Sequence, residues 1–320
     1  MSAVYAGVDL GGINIACALG SQAGEILAER TVPTGSHEGP AAVLERIAAV
    51  VSELASETGC APEALGIGVP GLVDRAAGFV RFLPNFPGQW RGVPAGETLS
   101  RRLGCPVWLL NDVRTATLGE LAFGRGRDAR DMVFFALGTG VGGGIVLDGR
   151  LRLGPLGAAG ELGHQTVVPD GPLCGCGNRG CLETVASGPA IAAEGVRLLL
   201  GGQAPVLHRL TGGCAGAVTP KEMAAAAAEG DAAVREAILR AARYLGIGAA
   251  NMVTALHPEL VVLGGGVAAI GPLLVDTVRA TVRERVRMFP SESVSVERSL
   301  LGNKAGIYGA IALAARGGVV

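Results

Sequence analysis

One pattern occurs twice along the chain and limits its architecture more than any other feature. An apolar strand ends in a glycine turn and doubles back into a second apolar strand. The first copy runs Val8-Asp9-Leu10-Gly11-Gly12 and resumes at Ile15 to Leu19. The second runs Val133 to Leu137, through Gly138-Thr139-Gly140-Val141-Gly142-Gly143-Gly144, into Ile145-Val146-Leu147. Such runs read as buried strands joined by turns that no side chain obstructs. Duplicated α/β halves facing a cleft explain two copies on one chain. Val43, Leu44, Ile47, Val50, Val51 and Leu54 recur at helical spacing, with Pro40 in the first turn and Gly59 past the end, which predicts a helix over Pro40 to Thr58. Leu65 to Val69 and Val107 to Leu110 read as further strands, so the sheet is expected to be mostly parallel and covered on both faces. Helices are expected at Asp231 to Leu256, Pro272 to Val286 and Asn303 to Ala315, around a buried strand Leu260 to Leu263 that ends in Gly264-Gly265-Gly266. No low-complexity linker separates the halves. Pattern alone places a small α/β domain over residues 1–115, with the helix 303–320 packing back on it, and a larger domain over 116–302.

Charge and composition narrow the partners. Lys plus Arg is 27 against 28 Asp plus Glu, a formal net charge of -1, which lacks the basic footprint of a nucleic-acid binder. The longest uncharged stretches, Met132 to Leu147 and Leu260 to Val275, are interrupted by Gly or Pro and fall short of the ~18 to 20 apolar residues of a spanning helix. The opening MSAVYAGVDL shows no basic region followed by an apolar one. A cytoplasmic protein without membrane or nucleic-acid partner is expected. Glycine accounts for 52 of 320 residues, against about 7% in average proteins.

Several residue sets can carry chemistry. Each glycine turn presents backbone N–H groups at a strand end, which suits a phosphate chain. Either turn alone is equally explained by tight hairpin packing. Neither fits the GxxxxGK[ST] loop, nor a GxGxxG that opens a helix. His164 followed by Cys174, Cys176 and Cys181 supplies one imidazole and three thiols, a closed tetrahedral set for structural zinc; free thiols with a core histidine, or a disulfide, are the alternatives. Glu161 and Glu183 flank that loop and could accept hydrogen bonds from vicinal hydroxyls of a sugar, or be solvated surface carboxylates. Asp112 ends an apolar strand, where ligands of open α/β sheets bind, and is the general-base candidate; its competing role is an N-cap for the helix that follows. Asn111 and Asn85 are further polar groups in apolar or turn-rich surroundings.

Taken together, these pieces resemble the ROK family of sugar kinases and repressors, within the actin-like ATPase superfamily. The likeness rests on Gly7-Val8-Asp9-Leu10-Gly11-Gly12, Asn85 with Pro87-Gly88 and Trp90, Asn111-Asp112, Leu137 to Gly144, Gly160-Glu161-Leu162-Gly163-His164, and Cys174 to Glu183. The resemblance implies an α/β fold of duplicated actin-like (ribonuclease H-like) domains and an ATP-dependent hexokinase, with glucose the expected acceptor. It also implies Mg2+ on the phosphates, structural Zn2+ on His164, Cys174, Cys176 and Cys181, and a homodimer or dimer of dimers. Asp112 then takes the proton of the sugar's primary hydroxyl. Hexose contacts map onto Gly71, Asn85, Asn111, Asp112, Glu161, His164 and Glu183. ATP contacts map onto Asp9, Gly11, Gly12, Gly138, Thr139, Gly140 and Gly264, Gly265 and Gly266. The repressor branch carries an N-terminal helix-turn-helix, whereas this sequence starts at the first strand, so no DNA binding is expected. One departure stands out: where the family's first turn usually continues with Thr, this chain has Ile13, then Asn14. One neutral hydrogen bond to phosphate is lost, roughly 0.5 to 1.5 kcal/mol or about tenfold at most in affinity. Another hexose (mannose, fructose or an N-acetylhexosamine) or a non-catalytic sugar sensor are the competing functions, and Ile13 is the hint toward the sensor.

Overall fold

The structure, a computed structural model, describes residues 3–84 and 86–320. The chain divides into two compact units, one of Met1–Asp128, Gly149–Gly160 and Asn303–Val320, the other of Ala129–Asp148 and Glu161–Gly302.

In the first unit β1 (Val4–Leu10), β2 (Asn14–Ser21) and β3 (Ile26–Pro33) precede α1 (Pro40–Thr58), then come β4 (Leu65–Val69) and the small hairpin β5 (Leu72–Asp74) and β6 (Phe79–Phe82). They are followed by α2 (Ala95–Leu103), β7 (Val107–Asn111) and α3 (Asp112–Phe123). The sheet order is β3-β2-β1-β4-β7; β1 is antiparallel to β2 and parallel to β4, which is parallel to β7. The α1 helix starts at the expected Pro40 and stops at Gly59, whose φ of 65° closes the last turn. It buries Val43, Leu44, Ile47, Val50, Val51 and Leu54 against the strand residues Val8, Leu10 and Ile67.

The second unit opens with β8 (Met132–Leu137) and β9 (Val141–Leu147); the chain then passes through the two-residue β10 (Arg150–Leu151) of the first unit before returning. Helices α4 (Glu183–Ala186), α5 (Gly188–Leu200), α6 (Pro205–Thr211), α7 (Pro220–Ala228) and α8 (Ala232–Leu256) follow, then β11 (Leu260–Gly264), α9 (Pro272–Arg285) and β12 (Ser295–Arg298). Strand β8 is antiparallel to β9 and parallel to β11, and β11 is parallel to β12. The run β9-β8-β11-β12 thus repeats β2-β1-β4-β7 in order and sense. The duplication read from two glycine turns is a duplicated sheet. Its core is built by Val133, Phe135, Val261 and Leu263 against Ala242, Leu245 and Ala249 of α8.

The last helix, α10 (Ala305–Ala315), belongs to the first unit and lies against β1, β4 and α3. Backbones touch there. A Cβ on Gly66 of β4 would fall 2.0 Å from the Ala310 carbonyl oxygen, and one on Gly309 would fall 1.7 Å from that of Thr115. The α3–α10 contact also explains a difference from expectation: the first unit runs to Asp128 rather than ending near residue 115, and takes in Gly149–Gly160. Helix α3 stays with the half that holds α10, a long-range pairing with no local signature.

Substituting Gly309→Ala forces this crossing apart. A destabilisation of about 1 to 3 kcal/mol is expected in urea denaturation; a change below about 0.5 kcal/mol would show that the crossing is not close-packed.

Candidate active site

In open α/β sheets ligands bind beyond the carboxyl ends of the strands. The register of the first sheet pairs Asp9 with Gly68 and Val69 with Asn111, so the ends of β1, β4 and β7 bring Asp9 and Asn111 to one edge. Asn111 is the N-cap of α3. Its Oδ1 accepts from the N–H groups of Val113 (3.1 Å) and Arg114 (3.2 Å) and from Arg114 Nη1 (3.0 Å). Its Nδ2 donates to the Gly71 carbonyl at 3.1 Å. An amide oxygen has two lone pairs and an amide nitrogen two hydrogens, so three donors saturate Oδ1 and one N–H is left for a ligand. Asn111 can therefore donate to a hydroxyl but not accept from one. Capping falls on Asn111, so Asp112 is the first residue of α3, half-buried, with Oδ1 accepting from the Val113 N–H at 2.8 Å.

The first glycine turn is pinned from behind. Thr34, fully buried, donates its N–H to the Ile13 carbonyl at 2.7 Å and its Oγ1 to the Gly11 carbonyl at 2.7 Å, while Arg46 Nη1 donates to the Thr34 carbonyl at 2.6 Å. Gly12 has open space around its α-carbon, and the Ile13 side chain is 83% exposed. Ile13 thus alters the tip's side chain without entering the turn. Asp9 faces the start of α10, where a Cβ on Gly306 would come within 2.2 Å of its Oδ2. Burial pushes the Asp9 carboxyl up to about 6.

The second unit gathers the other predicted groups. Gly138 donates its N–H to the Gly140 carbonyl at 2.9 Å and accepts from the Gly188 N–H at 2.8 Å, which closes the turn against the start of α5. Gly264 pairs with Ala136, and a Cβ on Gly265 would fall 2.4 Å from the Leu137 oxygen. Gly138, Thr139 and Gly140 are thereby neighbours of Gly264, Gly265 and Gly266. Glu183 Oε2 accepts from the Val141 N–H at 3.0 Å, and its Oε1 lies 3.8 Å from Cys174 Sγ. The ligand atoms of His164, Cys174, Cys176 and Cys181 lie within 4.8 Å of one another. Cys176 and Cys181 sulfurs are 3.7 Å apart, and Cys174 Sγ is 3.6 Å from His164 Nδ1. A tetrahedron with metal–sulfur bonds of about 2.3 Å has edges of about 3.8 Å, so the donor set fits a metal ion. With Nδ1 turned to the cluster, Nε2 points toward Glu161, 4.0 Å from its Oε2.

Each unit therefore assembles its own share of the expected residues: Asp9, Gly11, Gly12, Gly71, Asn111 and Asp112 in the first, and the second glycine sets, Glu161, His164, Glu183 and the three cysteines in the other. Asn85 lies outside the described residues. Sequence reasoning missed Thr34 and Arg114, both buried polar residues next to site backbone. A charge in an apolar stretch directly after Asn111-Asp112 was the available signal for Arg114.

A repeated hairpin-plus-parallel-strands sheet, with carboxylates and glycine turns at the strand ends, defines a protein of actin-like ATPase fold. Comparison with known proteins narrows the class. The ROK family model matches residues 5–316. The chain is 37% identical over 311 residues to a glucokinase of Streptomyces coelicolor, covering 96% of both chains, and 38% identical over 310 residues to a glucokinase of Thermotoga maritima, again 96% of both. The crystal structure of a ROK family glucokinase from Streptomyces griseus in complex with glucose and AMPPNP superposes with a TM-score of 0.84 at 35% identity, covering 98% of this chain and 99% of that one. The chain belongs to the ROK family, and it is a sugar kinase. No helix among the described residues is long and apolar enough to cross a membrane.

The Asp9 carboxyl gives a pH test. Its folded-state value of about 6 lies above the ordinary 3.8, so its stabilising contribution is complete below pH 3.8 and is lost as pH rises through 6. Without nucleotide, Asp9→Asn is expected to raise the Tm at pH 8, with about half that gain in stability at pH 5. An equal gain at both pH values would mean that Asp9 is not held in a desolvated site.

Proposed function

We propose that the protein transfers the γ-phosphoryl group of ATP to the 6-hydroxyl of glucose, giving glucose 6-phosphate and ADP. The observation that carries this reading is the end of β7, where the Asn111 cap leaves the Asp112 carboxylate one residue into the helix rather than serving as the cap. Asp112 accepts the proton of the 6-hydroxyl as its oxygen bonds to the γ-phosphorus and the bond to the bridging oxygen of ADP breaks. Such a transfer depends on alignment and on neutralising charge more than on covalent help from the protein.

The other groups have roles their geometry suits. Asn111 offers its remaining Nδ2–H to a hydroxyl beside the Gly71 backbone; the family resemblance alone adds Asn85 to the same set. Glu161 and the Nε2–H of His164 face hydroxyls with an acceptor and a donor. Glu183 keeps Oε1 for a hydroxyl while Oε2 braces Val141. Gly11 and Gly12 and the paired sets Gly138, Thr139, Gly140 and Gly264, Gly265, Gly266 let phosphate and nucleoside approach the backbone. Asp9 would hold Mg2+ together with the phosphates, where the ion supplies charge neutralisation. Zn2+ is the ion we assign to His164, Cys174, Cys176 and Cys181; it cross-links the loop from His164 to Cys181 and fixes the His164 tautomer. Three cysteines free for metal suit the reducing cytoplasm, where we place the protein.

The test is ADP release over a panel of sugars, on protein whose zinc has been quantified. Glucose should be the best acceptor by kcat/KM, with one zinc per chain. Preferred turnover of mannose, fructose or an N-acetylhexosamine would replace the acceptor, and sugar binding without ADP would make the protein a sensor. Full activity in protein with no zinc would remove the metal assignment.

A further inference from the structure

Arg114 is only 2% exposed, two residues past Asp112 on α3. A guanidinium taken out of water is costly unless its N–H groups find acceptors. Three of its nitrogens find them, and in doing so join two distant stretches of chain. Nη1 donates to Asn111 Oδ1 at 3.0 Å, Nε to the Ala159 carbonyl at 3.0 Å, and Nη2 to the Ala158 carbonyl at 3.1 Å. In an extended chain successive carbonyls point to opposite sides. Two adjacent carbonyls turned toward one guanidinium mark a bend, and the bend sits between Gly157 and Gly160, whose φ angles of 73° and 94° are left-handed. Gly160 leads directly into Glu161.

We propose that Arg114 is a positioning residue for the hexose. Its planar fork holds the Asn111 amide with the free N–H outward, and holds the 158–159 bend from which Glu161 emerges. Arg114 itself touches no substrate. A lysine has the charge but a single nitrogen, so it cannot span Asn111 and both carbonyls at once. The inference rests on the hexose-kinase reading, because it assigns Asn111 and Glu161 to the sugar.

The test compares wild type, Arg114→Lys and Arg114→Met for steady-state kinetics in both substrates, glucose binding by calorimetry, and thermal melting. A misplaced binding group costs up to about 100-fold. The expected result is a glucose KM and Kd raised about 10- to 100-fold in Arg114→Met and less in Arg114→Lys, with the ATP KM within about twofold of wild type. Glucose affinity unchanged in a folded Arg114→Met would overturn the proposal. So would glucose and ATP KM values that rise together with a lowered Tm, the mark of a purely structural staple. Should Arg114→Met not fold, Arg114→Lys decides: wild-type glucose affinity in that variant overturns it. Failure of the kinase reading looks different. Wild type would then release no ADP with any sugar, while calorimetry still reports whether Arg114 matters for glucose binding.

Discussion

The cap that Asn111 places on α3 is the interaction on which the first unit's site depends. Its amide oxygen takes two backbone N–H groups and the Arg114 guanidinium, and its amide nitrogen holds the Gly71 carbonyl. An N-cap contributes only about 1 kcal/mol to stability, so its consequence here is geometric. Because Asn111 caps, Asp112 does not have to. Strand β7 runs through the buried Leu109 and Leu110 to the half-buried Asn111, the helix begins at the carboxylate, and a single side chain sets how that junction is held.

The second unit reaches similar precision by a different route. Its polar groups sit in loops, and loops drift unless something ties them. Here the ties are the Cys174, Cys176, Cys181 and His164 cluster and the Glu183 carboxylate, two residues past Cys181, which accepts from the Val141 N–H. The glycine turn after β8 and the cysteine loop are thus mechanically connected through one residue. Strand pairing aligns the glycine sets of this unit: β8 and β11 end at the same level because Gly264 stands beside Ala136.

Much of this was legible in the sequence, and the reason is locality. Pro40 and Gly59 delimit α1 through backbone preferences that act within a few residues, and the repeated strand-glycine-strand pattern marks both halves of the duplicated sheet. The compact spacing of Cys174, Cys176 and Cys181 marks their shared cluster. Features set by distant contacts were not legible. Strand β3, at the edge of its sheet, alternates between half-buried and exposed residues and gives little apolar signal. Helix α3 joins the first unit because Gly309 meets Thr115, and no pattern near residue 115 announces a partner at the far end of the chain. Other glycines let helices lie on strands, as Gly66 does under Ala310, and no local pattern announces that close approach. The choice of Asn111 over Asp112 as cap was equally hidden, since either residue type can cap.

The most direct test of the central claim is Asp112→Asn, which keeps the side-chain shape and the acceptor for the Val113 N–H but cannot take a proton. Measured together, kcat for glucose phosphorylation and the Kd for glucose separate chemistry from binding. Loss of a general base costs about 100- to 10,000-fold, so kcat is expected to fall by that factor while Kd stays within a few-fold. A kcat close to that of wild type would contradict Asp112 as the base.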